Sequence, residues 1–344
     1  MSFRITTNGL FRNYQSNLHK NTKTLNNTMS RVETGRRFNS YAEDPVSASK
    51  AFQLRRNYWR TGDQIDTTNT VISKYDTAYS AMASIIDGNS DHPGLDGLLS
   101  TIEGVSDTAG AARVSLGQQL VSTAESVVAM MNFKLGEDYI FAGADGANLP
   151  FEWNEDGTKL LYRGVDVSAQ EGTAEYEQLQ KMAGEATYVD IGLGLVEDDQ
   201  GLIEASAFNS SISGLDFLGY GKDQNLAVVM KELGTIFANA DPNTGAYAHE
   251  GDKERAYELY DQLHKAIDNA QIVHVKLSTD ANYLKTNLNQ LETTKLNLNE
   301  QIEEIEQGDP AAAITEMSWA QYCYNAALRI GNSILSQSLF DYMS

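Results

Sequence analysis

Apolar residues recur every seven positions towards both ends of the chain. Phe11, Leu18, Leu25 and Val32 form one series, and Ala51, Tyr58, Ile65, Ile72, Tyr79 and Ile86 form a second. Leu277, Leu284, Leu291, Leu298 and Ile305 form a third, with Ala281, Leu288 and Ile302 at its companion positions. This period lays a narrow apolar stripe along one face of a long helix, so long helices are predicted over all three stretches. The companion positions are imperfect: Lys295 interrupts the third series, and Arg55, Gly62 and Asn69 lie on the second. A helical bundle with some coiled-coil packing fits better than a strict two-stranded rod. A further helix is predicted over roughly 95–135 from Ile102, Val105, Ala109, Ala112, Leu116, Val127 and Met130.

The middle of the chain changes period. Thirteen of the 27 glycines lie between 136 and 221, which marks it as turn-rich. In "FEWNEDGTKLLYRG" two strand-like flanks surround Asp156-Gly157, a hairpin signal. "ATYVDIGLG" and "SAFNSSISGLDFLGYG" add short alternating or aromatic strands, and helical periodicity returns near Leu226. The predicted class is mainly α with a β-rich insert: a long coiled-coil-like helical bundle built from both termini, and an outer β-rich domain in the middle. The expected division is 1–45 with 306–344 as a terminal helical domain, 46–145 with 225–305 as a helical bundle, and 146–224 as the outer domain.

Local chemistry punctuates this order. Pro45, Pro242 and Pro310 each follow an aspartate. Aspartate caps free backbone N–H groups, and proline suits the first helical position because its missing N–H would go unpaired there. Gly35 is placed to end the first helix, with Arg31 in its last turns favouring the dipole. The stretch "SRVETGRRFNSYAEDPVSASK", 30–50, therefore reads as a helix stop and a helix start, with Gly35, Arg36, Arg37, Asp44 and Pro45 at the corner.

Charge narrows the partners. With 26 basic and 47 acidic residues the net charge is −21, so neither nucleic acid nor an anionic membrane is an expected partner. No apolar run reaches the length of a membrane span, and the first residues lack a cleavable signal, which leaves another export route if the chain is secreted. The excess is uneven. Residues 1–45 hold seven basic and three acidic residues, 296–344 one and seven, and 151–224 four and fifteen. The two ends are electrostatically complementary, and the middle is the acidic part.

A search for catalytic patterns finds none. The five histidines offer no i, i+4 pair and no HExxH, and GxSxG and GxxxxGK[ST] are absent. "GLGLVEDDQG" lacks the third glycine of a dinucleotide loop, and Glu197-Asp198-Asp199 lacks the alternating ligands of a calcium loop. No cofactor, no metal and no enzymatic activity are expected. Cys323 stands alone in a helical pattern, where a cysteine commonly acts as a small buried hydrophobe. The candidate functional feature is then assembly through the terminal helices. Its residues are Phe11, Leu18, Leu25 and Val32 at one end, and Ile314, Met317, Tyr324, Leu328, Leu335 and Leu339 at the other.

Four segments together resemble the flagellin superfamily, most closely its hook–filament junction members, the hook-associated protein 3 group. These are "FRITTNGLFRNYQSNL" near the start, "TGRRFNSYAEDPVSASK" with Gly35, Arg37, Asn39, Asp44 and Pro45 at the matched positions, "DYIFAG" at 138–143, and the ending "SILSQSLFDYM". The resemblance covers roughly the first 145 and last 120 residues. It implies a structural, secreted protein of the bacterial flagellum, exported by the type III route without a cleaved signal. It also implies a ring of copies between hook-associated protein 1 and flagellin, and an export chaperone on the C-terminal helix. Cys323 departs from the family, whose exported members tend to lack cysteine. Two alternatives stay open: flagellin itself, the filament subunit, or a secreted adhesin or enzyme working through the central insert.

Overall fold

The computed structural model describes residues 7–88, 93–105, 110–198, 201–202 and 206–343. The helices are α1 (Thr7–Thr34), α2 (Pro45–Ile86), α3 (Leu95–Gly104), α4 (Gly110–Met131), α5 (Ala174–Ala183), α6 (Gly214–Leu218), α7 (Leu226–Ala238), α8 (Asp252–Glu306) and α9 (Pro310–Met343). Short strands fill the middle: β1 (Lys134–Leu135), β2 (Asp138–Tyr139), β3 (Ala142–Gly143), β4 (Phe151–Trp153), β5 (Leu160–Tyr162), β6 (Val165–Asp166), β7 (Tyr188–Val189), β8 (Glu197–Asp198), β9 (Gly201–Leu202), β10 (Phe208–Asn209) and β11 (Ile212–Ser213). The mainly α class with a strand-containing middle is the one adopted. The chain divides into two compact units, Met1–Gly62 with Glu292–Ser344, and Asp63–Leu291.

In the larger unit the heptads of α2 and α8 supply the core. Ile65, Ile72 and Ile86 of α2 are buried, as are Leu277, Ala281, Leu284 and Leu291 of α8. Tyr79 departs from the expected seam. It is 38% exposed and lies flat against His274 of α8, ring centroids 4.3 Å apart. The two helices run antiparallel, since this stack and the Lys285–Asp76 ion pair at 2.8 Å match rising numbers on one to falling numbers on the other.

The single helix predicted over 95–135 is two. Helix α3 ends at Gly104, and Val105 after it takes extended backbone, its N–H donating to Ile102 O. Helix α4 packs on α7 backbone to backbone: a β-carbon on Gly117 would lie 2.6 Å from Gly234 O, and one on Gly234 would lie 2.9 Å from Gly117 O. Leu120, Ala124 and Val127 then meet Leu226, Met230 and Leu233 in one continuous core.

Asp241-Pro242 does not begin a helix. The Asp241 carboxylate accepts N–H bonds from Asn243 and Thr244 and closes a turn instead. That turn is held by Arg113 of α4, which donates to Gly245 O and lies over the Tyr247 ring, 4.7 Å from its centroid. Asp44-Pro45 and Asp309-Pro310 do begin helices, α2 and α9.

The hairpin at Asp156-Gly157 forms with Phe151 opposite Tyr162 and Trp153 opposite Leu160. Its loop is organised by Asn154, whose side-chain oxygen accepts from Thr158 and Lys159, while Gly157 takes φ +66°. "DYIFAG" threads into the core: Ile140, Phe141 and Ala142 are buried, and β3 pairs with β11. "SAFNSSISGLDFLGYG" is only half strand. Ser213 accepts from the N–H of Leu215 and turns the rest into α6. The acidic segment after β7 is fastened to helices: Asp190 accepts from Gln64 of α2 at 3.0 and 3.1 Å, and Asn287 of α8 donates to Ile191 O at 2.6 Å.

Candidate assembly surface

The smaller unit holds the two chain ends. Helices α1 and α9 pair antiparallel, with Arg31 bonded to Glu316 at 3.1 Å at one end and Tyr14 against Gly331 at the other. The inner stripe of α1 is Tyr14, Leu18, Asn21, Leu25, Thr28 and Val32, alternately three and four residues apart. That of α9 is Ala313, Met317, Ala320, Tyr324, Ala327 and Gly331. Small residues on α9 admit the larger side chains of α1, which is how two narrow stripes approach closely. Leu18, Leu25, Val32, Met317 and Tyr324 are half-buried at this seam, whereas Phe11 is exposed. Cys323 beside it is half-buried, not buried.

Ile314 and Leu328 lie elsewhere. Both are exposed, as are Trp319, Tyr322 and Ile330, at positions of α9 outside the seam. Trp319 and Tyr322 are 68% and 66% exposed and stack on each other, centroids 5.7 Å apart. Sequence reasoning passed over this aromatic pair because neither residue falls on the apolar repeat it followed; its signal was two large aromatics three residues apart. Leu335 and Leu339 lie on the helical backbone of α9, and their side chains are outside the described residues.

The corner 30–50 follows from its local chemistry. Gly35 takes φ +68°, and its N–H donates to Arg31 O at 2.9 Å, ending α1. Arg36 then forms a β-bridge with Gln307, Arg37 N donates to Glu306 O at 2.7 Å, and Gly308 N donates to Gly35 O at 3.0 Å. The α1–α2 corner is thereby tied to the α8–α9 corner through these backbone contacts. Asp44 caps α2 by accepting from Ser47, which with the backbone N–H groups there and nearby Arg37 holds its carboxyl below the usual range. Pro45 is the first residue of α2. Asn39 locks the loop, accepting from Thr34 and donating to Ser30.

A cleft of about 470 Å³ opens between the two corners, lined by Arg31, Arg36, Arg37, Glu43, Asp44 and Glu316 among others. Alongside it Phe38, Tyr41 and Phe52 line a second cleft of about 460 Å³, with Phe52 exposed. Among the described residues no group of three or more His, Cys, Asp or Glu side chains could hold a metal ion. None of the described helices is long and apolar enough to cross a membrane. The arrangement is a pair of helices with one apolar seam used and large apolar side chains exposed outside it, beside a charged corner whose backbone is tied down.

Comparison with known proteins places this geometry. Residues 5–88 match the family described as the bacterial flagellin N-terminal helical region. No curated protein matches the chain. A structure described as a flagellar hook-associated protein from Vibrio parahaemolyticus is similar in fold, with TM-score 0.57 and 12% identity, over 77% of this chain and all of that one. FlgL of Bacillus cereus aligns with TM-score 0.38 and 16% identity over 75% of this chain and 99% of its own. Residues 5–88 thus match the bacterial flagellin N-terminal helical region, and the fold is similar to that of a flagellar hook-associated protein.

Proposed function

We propose that the chain is a structural component of the bacterial flagellum that adapts the hook to the filament. In this reading copies of the chain assemble into a ring through α1 and α9, meeting hook-associated protein 1 on one side and flagellin on the other. Residues 1–45 with 306–344 are the assembly part, 46–145 with 225–305 the helical body, and 146–224 the outward part. The chain reaches the extracellular flagellum by type III export without a cleaved signal, with a chaperone covering α9 beforehand. It has no catalytic role.

One observation carries the assembly reading: α9 leaves Ile314, Trp319, Tyr322, Leu328 and Ile330 exposed around a seam that is already covered by α1. Large apolar side chains left exposed once the seam partner is in place are surplus to the fold of a single copy, and such surplus marks an interaction surface. The filament-subunit alternative draws on the same 5–88 match. A null strain separates them: loss of a junction protein leaves hooks intact while flagellin spills into the medium unpolymerised. Normal filaments in that strain would sink the junction role. A chain truncated before residue 314 should fold in its larger unit and fail to join hook or filament.

A further inference from the structure

In a chain with 47 acids and 26 bases, cations are scarce and acids compete for them. Around the charged cleft that competition is settled without Arg36 or Arg37. Glu316 takes Arg31, and Glu306 takes Arg55. Glu43 accepts from Asn39 N, Asp44 from Ser47 N and Asp309 from Ala311 N. Among the described residues, neither Arg36 nor Arg37 has a carboxylate at ion-pair distance; Arg37 acts on Asp44 only through space. Both arginines are exposed, and their backbone is pinned by the bridge to Gln307 and the bond to Glu306 O. The result is two consecutive arginines on a corner whose backbone is tied down, without an ion-pair partner among the described residues.

The same unit carries the complement. On α8, Glu303 is engaged by Asn299, but Glu300 and Glu304 are exposed and without a hydrogen-bond or ion-pair partner among the described residues. At i, i+4 they share one helix face, about 6 Å apart along the axis. That spacing suits two consecutive arginines, each of which can donate two parallel N–H bonds to a carboxylate.

We propose that Arg36 and Arg37 of one copy bind Glu300 and Glu304 of a second copy. The inference rests on the assembly reading above and adds its orientation. The two surfaces are different, so the contact is head-to-tail, the kind that propagates into a ring or a helical array instead of closing as a two-fold dimer. Charge contacts of this sort steer and orient association, and salt screens them.

The test uses the full chain in sedimentation velocity at about 50 mM and about 500 mM salt. Wild type should associate at low salt and less at high salt. The R36E/R37E and E300R/E304R chains should each associate about tenfold more weakly. A mixture of the two reversed chains should recover hetero-association, because the acidic corner of one meets the basic stripe of the other. Restoration only when all four changes sit in one chain would mean the charges pair within a copy, and the proposal fails. It also fails if wild type stays monomeric or if charge reversal leaves association unchanged. Association that ignores charge reversal but is lost in Trp319→Ala would overturn this contact while leaving the assembly reading in place. Association unaffected by Trp319→Ala but abolished by charge reversal would support this contact and take Trp319 out of the interface.

Discussion

Gly331 of α9 has no room for a β-carbon, because one placed there would collide with the phenol of Tyr14 on α1. This contact decides a sign. Alanine is favoured over glycine within a helix by about 1 kcal/mol, so an open site would gain stability from Gly331→Ala. Here the substitution should instead loosen the α1–α9 pair by about 1–3 kcal/mol, the usual scale of overpacking. Limited proteolysis of the chain ends reads the loss. Tyr14→Ala combined with Gly331→Ala should recover part of it, and a fully additive double-mutant cycle would mean the two residues do not touch in solution.

The contact between α4 and α7 is less forgiving. A β-carbon on Gly117 would meet backbone atoms of Gly234, Phe237 and Ala238, none of which is the end of a flexible side chain. Gly117→Ala should cost about 3 kcal/mol or more, visible as a lower calorimetric transition. Gly104→Ala, at the last residue of α3 where a β-carbon meets nothing within 4 Å, is the matched control and should leave the transition unchanged or raise it by the equivalent of up to about 1 kcal/mol.

Among the described side chains of α1 and α9, only Thr28, Ala320 and Gly331 are buried. A helix pair this shallow recovers little of its ordering entropy. Amides of 11–32 and 311–333 should exchange with deuterium in a dilute single copy much faster than those of α4 and α7. Equal protection in both would show the ends to be as firmly built as the core.

Arg255, at the start of α8, grips two carboxylates at once: Asp223 at 2.7 and 3.1 Å and Glu232 at 2.9 and 3.1 Å. The bond from Arg255 is the main reason the Asp223 carboxyl sits below its usual range, against some opposing burial. A lowered carboxylate stabilises the fold above its unfolded value near pH 4, and that contribution is lost as pH falls through the folded value. Arg255→Gln should therefore lower the melting temperature at pH 7, by the equivalent of about 1–2 kcal/mol for a partly exposed pair. The difference from wild type should shrink below pH 4. A constant difference down to pH 2 would assign the effect to packing.

The long helices were legible because their burial repeats with the seven-residue period. Leu18, Leu25 and Val32 fall on the α1 seam, and Leu277, Leu284 and Leu291 in the α8 core. The misses have local causes. One helix over 95–135 was suggested by periodicity that continues through Gly104 and Val105, where the backbone turns out. Asp241-Pro242 looked like a helix start, but its carboxylate serves the turn that Arg113 clasps, and nothing nearby in sequence announces that partner. Tyr79 kept the seam's period but found His274 at the surface. The corner's glycine and Asp-Pro were readable, whereas its bridge to Gln307 depends on a segment about 270 residues away.

That distance also fixes an order of events. Arg31 and Glu316 are separated by 285 positions, so α1 has nothing to pair with until almost the whole chain is available. Closing so long a loop is slow unless something else shortens it. The intervening unit, Asp63–Leu291, holds its own core and can condense first, bringing α2 and α8 side by side and carrying the two ends towards one another. The helix at the front of the sequence is then the last to be clasped, and it waits open for as long as α9 is occupied elsewhere.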